Sequence, residues 1–162
     1  MFKKFMTVIT TLLFVTSIQA KDMNLNFTPD PNVSKLAEAF SLDCVDFVGR
    51  KFNLILDWSD ESIFKLEPIL ANLSNYARAS NMPAEQVNDY AKIFGFYIGE
   101  VYRKNHADVV WGGVEIDGRQ HFALGTKENK PIIWPVTNVS KRIYLGEEAN
   151  IATYYSAVVG KQ

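Results

Sequence analysis

The 162-residue chain has a single cysteine, Cys44, and only two histidines, His106 and His121. One cysteine excludes an internal disulfide, so in an oxidising compartment Cys44 is either buried or paired between molecules. Its neighbours Asp43 and Asp46 oppose thiolate formation, and we take it as a buried, inert thiol. With Glu100 or Glu115 the two histidines would make three metal ligands, but their spacing matches no metal motif. No metal and no cofactor are therefore expected. The sequence also lacks GxSxG, HExxH, CxxC, Walker and GxGxxG patterns, which removes the familiar hydrolase, oxidoreductase and nucleotide-binding signatures. Charge of one sign is missing too, since the net charge is −1. Nucleic acid and anionic lipid thus have no electrostatic claim on the chain. No apolar run reaches the ~20 residues that a membrane-spanning helix needs.

Apolar residues make up 48% of the chain, enough for a core without covalent staples. The first twenty residues read as a secretory signal peptide. Lys3 and Lys4 precede an apolar run from Phe5 to Val15, and Ala20 supplies the small residue for cleavage before Lys21. No cysteine follows that run, so lipid attachment is not expected. Without this segment the chain holds 15 basic against 18 acidic residues, a charge of −3. The short Lys-Lys start is bacterial in style and points to a periplasmic or secreted protein that no longer touches the membrane. Residues 21–31 carry two prolines and no period, and read as a mobile leader. Residues 32–162 then form one domain.

Asn32 or Ser34 can cap a first helix running to about Val48, with Leu36, Ala39, Phe40, Cys44, Phe47 and Val48 inward and Gly49 as its stop. Phe52–Leu56 is a strand or an extended link. Ser59 caps a second helix, where Asp60 and Glu61 suit the positive end. Its register Ile63, Leu66, Leu70, Leu73, Ala77 runs unbroken through Pro68, which predicts one kinked helix rather than two. A third helix opens at Pro83. Tyr90, Ile93, Phe94, Tyr97, Ile98 and Val101 form a wide apolar stripe, and Gly95 and Gly99 lie on the other side. Such a helix has almost no water-facing side and should be enclosed by other elements.

Beyond Ala107 the period becomes two. We favour a three-residue loop, Ile116-Asp117-Gly118, which pairs Glu115 with Arg119 and keeps Val110, Val114, Phe122 and Leu124 on one face. Gly112-Gly113 is a bulge or a close approach to another backbone. A third strand covers Pro131–Trp134. Two short helices follow: Pro135–Leu145 with Gly146 as stop, and one capped by Asn150. The expected fold is α+β: kinked and buried N-terminal helices, a small antiparallel sheet of about three strands, and two short C-terminal helices.

Glu100 is the one ionisable residue inside the apolar part of the third helix. A buried lone carboxylate is costly, so it needs a partner or a site at the edge. Three readings stay open. Arg103 and Lys104, at i+3 and i+4, form a helix-surface ion pair with it. Alternatively Glu100 turns inward and is satisfied by backbone groups or Lys141. In the third reading it lines a cleft with Trp111, Glu115 and His121 and works as an acid or base. The preferred register also puts Trp111, Glu115, Arg119 and His121 on one sheet face. If exposed, that face is a mixed aromatic and charged binding patch; if covered, Trp111 is core.

The stretches LDWSDESIFKLEPIL, FGFYIGEVYRKN with the following VVWGG, and VSKRIYLGEEANIATYY resemble a family of small bacterial α+β domains of unknown function. The likeness spans about Phe52 to Tyr155, and the motif at Phe96 to Val101, in a GxYxGEV-type helix, is its most specific part. The resemblance brings no catalytic residues with it. It implies a binding protein, including an immunity-type inhibitor of another protein. Against it stand an envelope hydrolase using Glu100 with His121 or Glu115, and an accessory protein of an envelope secretion machine.

Overall fold

A computed structural model describes residues 25–106 and 108–160. The expected signal peptide lies outside the described residues. The elements in order are β1 (Phe27–Pro29), α1 (Pro31–Phe52), α2 (Asp60–Ser80), α3 (Ala84–Asn105), β2 (Val110–Ile116), β3 (Arg119–Gly125), β4 (Pro131–Ile133), α4 (Pro135–Leu145), a short 3-10 turn (Gly146–Ala149) and α5 (Ile151–Val159). The class is α+β. The sheet has four antiparallel strands in the order β1-β2-β3-β4 rather than about three.

The additional strand comes from the segment read as a leader. Phe27, Thr28 and Pro29 pair with Val114, Gly113 and Gly112. Phe27 closes a short period-two alternation with Met23 and Leu25, but the two prolines that follow, Pro29 and Pro31, make the segment read as a leader. Its ring fills the space above two glycines: a Cβ on either Gly112 or Gly125 would strike it. Gly112 also lies against the Thr28 carbonyl, so it marks a close approach and not a bulge. The register irregularity lies instead at Leu124/Gly125.

α1 is longer than its pattern predicts. Asp30 caps it through the Asn32 N–H, and the helix passes Gly49 to end at Asn53, which takes a left-handed φ of 51°. Its buried row is Val33, Ala37, Ser41, Cys44 and Val48, while Leu36 and Ala39 face water. The row of small side chains lets α1 come close to α3, and the flanking Phe40 stacks on Phe96 at 5.6 Å. Residues 53–57 are an extended link without strand pairing. α2 starts at Ser59, whose side chain accepts from the Ser62 N–H, and continues through Pro68 as one helix.

α3 is the centre of the molecule. Every residue from Phe94 to Tyr102 is buried. Its glycines serve as notches. A Cβ on Gly95 would stand 2.5 Å from the Val136 Cα, so the start of α4 rests directly on the α3 backbone. A Cβ on Gly99 would stand 2.3 Å from two carbons of the Trp111 ring.

The β2–β3 register differs from the expected one. Ile116 pairs with Arg119 across a two-residue turn, Asp117-Gly118. Both turn residues have positive φ, 50° and 73°, the type I′ geometry whose twist matches that of the strands. One face therefore carries Trp111, Leu124 and Phe122 toward the helices, and the other carries Val114 and Ala123 toward Phe27. The three-residue loop was favoured on the assumption that only one face is apolar. Here β1 covers part of the second face, so both are.

Candidate functional site

Glu100 is 4% exposed and fully engaged. Its Oε1 accepts the Trp111 indole N–H at 2.8 Å and the Arg103 Nε–H at 2.8 Å, and its Oε2 accepts an Arg103 Nη2–H at 2.9 Å. Lys104 lies 3.9 Å away. Burial pushes the carboxyl pKa up, but the hydrogen bonds from Arg103 and Trp111 and the charges of Arg103 and Lys104 outweigh it. The net pKa lies below the usual range. The helix-surface partner and the inward turn are thus both present, with Trp111 in the place expected for Lys141. Lys141 is exposed on α4, against the Leu145–Asn150 segment.

Two further polar clusters hold the helices together, and the sequence pattern reveals neither. In the first, Arg142 is 2% exposed, donates to Glu67 at 2.8 Å and approaches Glu147 at 3.5 Å. The other oxygen of Glu67 accepts the Ile151 N–H at 2.8 Å, so one carboxylate joins α2, α4 and α5. Both charges stand in inward rows, Arg142 between Val139 and Ile143, and Glu67 between Ile63 and Leu70. In the second cluster, Asp60 in the first turn of α2 meets His106 Nε2 at 2.7 Å and accepts the Tyr155 hydroxyl at 2.6 Å. Burial raises the Asp60 pKa, but the hydrogen bonds from Tyr155 and His106 outweigh it and the net pKa is lowered. Beside them Tyr97 and Ser62 share a hydrogen bond of 2.7 Å, and Tyr97 accepts the Trp58 N–H at 3.1 Å. Burial lifts the Cys44 thiol far above its ordinary pKa.

The residues expected to form one patch are dispersed. Trp111 is 1% exposed and packs edge-on against Phe96, so it is core. Glu115 is exposed and pairs with Gln120. Arg119 and His121 pair with Ile116 and Val114, on the sheet face opposite to Trp111. Glu100 lines a cleft of about 330 Å³ with Lys35, Glu38, Arg103 and Lys104. His121 and Arg119 line a different one, of about 460 Å³, between α3, β3 and the start of α4. No residue is common to the two clefts, so Glu100 and His121 do not face each other. Among the described residues no three His, Cys, Asp or Glu side chains are grouped to hold a metal ion.

The larger cleft is the best candidate for a site. Asn88 and Lys92 come from α3, Arg119 to Phe122 from β3, and Val136, Thr137 and Ser140 from α4. It exists because β4 pairs only with Leu124 and Gly125, which leaves the first half of β3 without a strand on that side. Thr137 Oγ1 lies 3.5 Å from His121 Nδ1, which ties the helix start to the strand.

A solved structure from Bacteroides thetaiotaomicron VPI-5482, a crystal structure at 1.50 Å resolution, has the same fold. The superposition has a TM-score of 0.58 and covers 85% of this chain at 14% identity. It covers 48% of the other chain, so this protein spans about half of that one's length. No curated protein matches the chain. The model of the domain of unknown function DUF3806 matches residues 70–155, more than half of the chain; it takes in the second and third of the stretches that resemble such a family and only the last residue of the first. The chain belongs to the DUF3806 family.

Proposed function

We propose that the protein is an exported, non-catalytic binding protein of the bacterial envelope. It holds another protein at the α3–β3–α4 cleft, as an inhibitor or immunity partner does. The carrying observation is the separation of Glu100 from Arg119 and His121. The acid on which hydrolysis would depend already serves Trp111 and Arg103, and a carboxylate tied to a guanidinium is a poor base. Arg119 and His121, two of the four residues expected to bind, sit instead in the cleft between α3, β3 and α4. The signal-peptide pattern of the first twenty residues supports export.

The test has two parts. The first is cell fractionation with mass spectrometry of the mature chain, which should find it outside the cytoplasm and beginning at Lys21. The second is crosslinking in the periplasm with wild type and Arg119→Glu. A protein crosslinked to wild type and lost in the variant supports the reading. A cytoplasmic, unprocessed chain removes the export half. A crosslinking pattern indifferent to Arg119→Glu removes the assignment to this cleft.

A further inference from the structure

We infer that the α3–β3–α4 cleft is an oxyanion site that takes a carboxylate or phosphate group. The inference rests on the reading of that cleft as the place of binding, and it names the chemistry recognised there. The first observation is the lining. Lys92, Arg119 and His121 bring cationic or protonatable nitrogen, Asn88 and Gln120 bring amide donors, and Thr137 and Ser140 bring hydroxyls. No Asp or Glu lines the cleft, although the chain has more acids than bases.

The second observation concerns the arginines. The chain has five, at 50, 78, 103, 119 and 142. Arg50 bonds to Asp46, Arg78 to Ser74 and Asn75, Arg103 to Glu100, and Arg142 to Glu67. The Arg119 side chain alone makes no hydrogen bond or ion pair with any described residue, its backbone being paired with Ile116. Among the described residues it is the one guanidinium fork left open to a bidentate acceptor, and it stands at a cleft. Lys92 has an acid partner outside the lining, Asp89, 3.7 Å from its ammonium and largely exposed, which is a weak screened pair. α4 adds to the same field. It opens into the cleft at Val136 and Thr137, and no side chain caps it.

The group could arrive as a free small anion or as an acidic side chain of the partner protein, and the experiment separates the two. Full-length mature protein is titrated with inorganic phosphate, with citrate, and with an acetylated, amidated hexaglutamate peptide. Sodium chloride at matched ionic strength is the control. Amide NMR shifts of Arg119–Phe122 and Thr137 are the readout. The expected result is saturable shifts at these residues with at least one of the three probes and none with chloride. Arg119→Ala, an exposed substitution that leaves the core untouched, should weaken binding by about tenfold, the loss of one charge-assisted contact. Lys92→Ala should weaken it less. Phosphate alone would point to a free anion, and the peptide to an acidic partner. The inference is overturned if none of the probes shifts these amides beyond chloride, or if Arg119→Ala binds as wild type does. Arg119-dependent crosslinking without anion binding would sink the oxyanion chemistry and leave the protein-binding reading standing. Anion binding without any crosslinked protein would do the reverse.

Discussion

The indole N–H of Trp111 donates to the Glu100 carboxylate at 2.8 Å, so a single bond fixes the first core residue of the hairpin to the central helix. The ring above that bond sits in the notch left by Gly99, and the carboxylate below it is held by Arg103. Gly99, Glu100 and, eleven residues further on, Trp111 are one joint in space.

That joint should be visible as coupling. Glu100→Gln keeps the shape but removes the charge that Arg103 binds, and should cost about 1.5–3 kcal/mol at neutral pH. Trp111→Phe deletes the donor and part of the ring. In a double-mutant cycle the two should be non-additive by about 0.5–3 kcal/mol, because they share one bond. The pH dependence follows from the lowered Glu100 pKa. The contribution is complete above the unfolded carboxyl pKa of about 4.3 and disappears as pH falls through the lower folded value. Urea unfolding at neutral pH and at low pH checks this: the wild-type advantage over Glu100→Gln should shrink in acid. An advantage of constant size would disprove it.

The parts of the fold that were readable in the sequence are those set by local rules. Ser59, Asn150 and Gly146 mark helix ends where they were expected, and the register of α2 survives Pro68. The parts that were not readable depend on partners distant in the chain. Phe27 is a strand residue only because Gly112 and Gly125 leave room for its ring. The hairpin register depended on whether the second sheet face was covered, which is decided by β1, some eighty residues upstream. Glu67 and Arg142 each interrupt an apolar row, and each looks like a solvated position until the other is brought to 2.8 Å. The site was half legible for the same reason. Arg119 and His121 were named, but Lys92 and Thr137 come from helices whose faces toward β3 no period reports.

Glycine substitutions on α1 and α3 should have opposite signs. Gly95→Ala places a methyl 2.5 Å from the Val136 backbone, which cannot yield without displacing α4, and should destabilise by about 1–3 kcal/mol. Gly49→Ala, inside α1, meets nothing nearer than the Leu54 carbonyl at 4.0 Å. There alanine lowers the entropy of the unfolded chain and suits the helix, so it should stabilise by about 0.4–1 kcal/mol. Thermal melts of the two variants decide it, and equal signs would mean that the notch is not tight.

Removing one partner of the buried Glu67–Arg142 pair should be among the costliest single changes. Glu67→Ala strands a guanidinium that is 2% exposed and also frees the Ile151 N–H. The expected loss is about 3–5 kcal/mol. Hydrogen exchange gives the sharper check, because α5 loses its tie to α2. Amides of the first turn of α5 should exchange faster in Glu67→Gln, a milder variant, while those at the centre of α3 stay protected. Uniform loss of protection would show the pair to be a general prop and not a tie to α5.

The Asp60 cluster makes a second acid-sensitive joint, at the C-terminal end of α3. Tyr155 donates to Asp60 at 2.6 Å and His106 stands on the same carboxylate, so α5, α3 and the start of α2 meet at one group. Because the Asp60 pKa is lowered in the fold, this contribution too is present above the unfolded aspartate value of about 3.9 and is lost as pH falls through the folded one. Tyr155→Phe keeps the ring and removes only the hydroxyl. It should cost about 0.5–1.5 kcal/mol, or up to about 3 if the charge-assisted bond is at full strength. Asp60→Asn should cost more, since it weakens the bonds from both Tyr155 and His106 and removes a negative charge from a helix start. Urea unfolding at neutral pH should rank the two in that order. In acid, where wild-type Asp60 is itself protonated, the gap between wild type and Asp60→Asn should close. A gap that persists unchanged at low pH would mean that the carboxylate charge does not hold this joint.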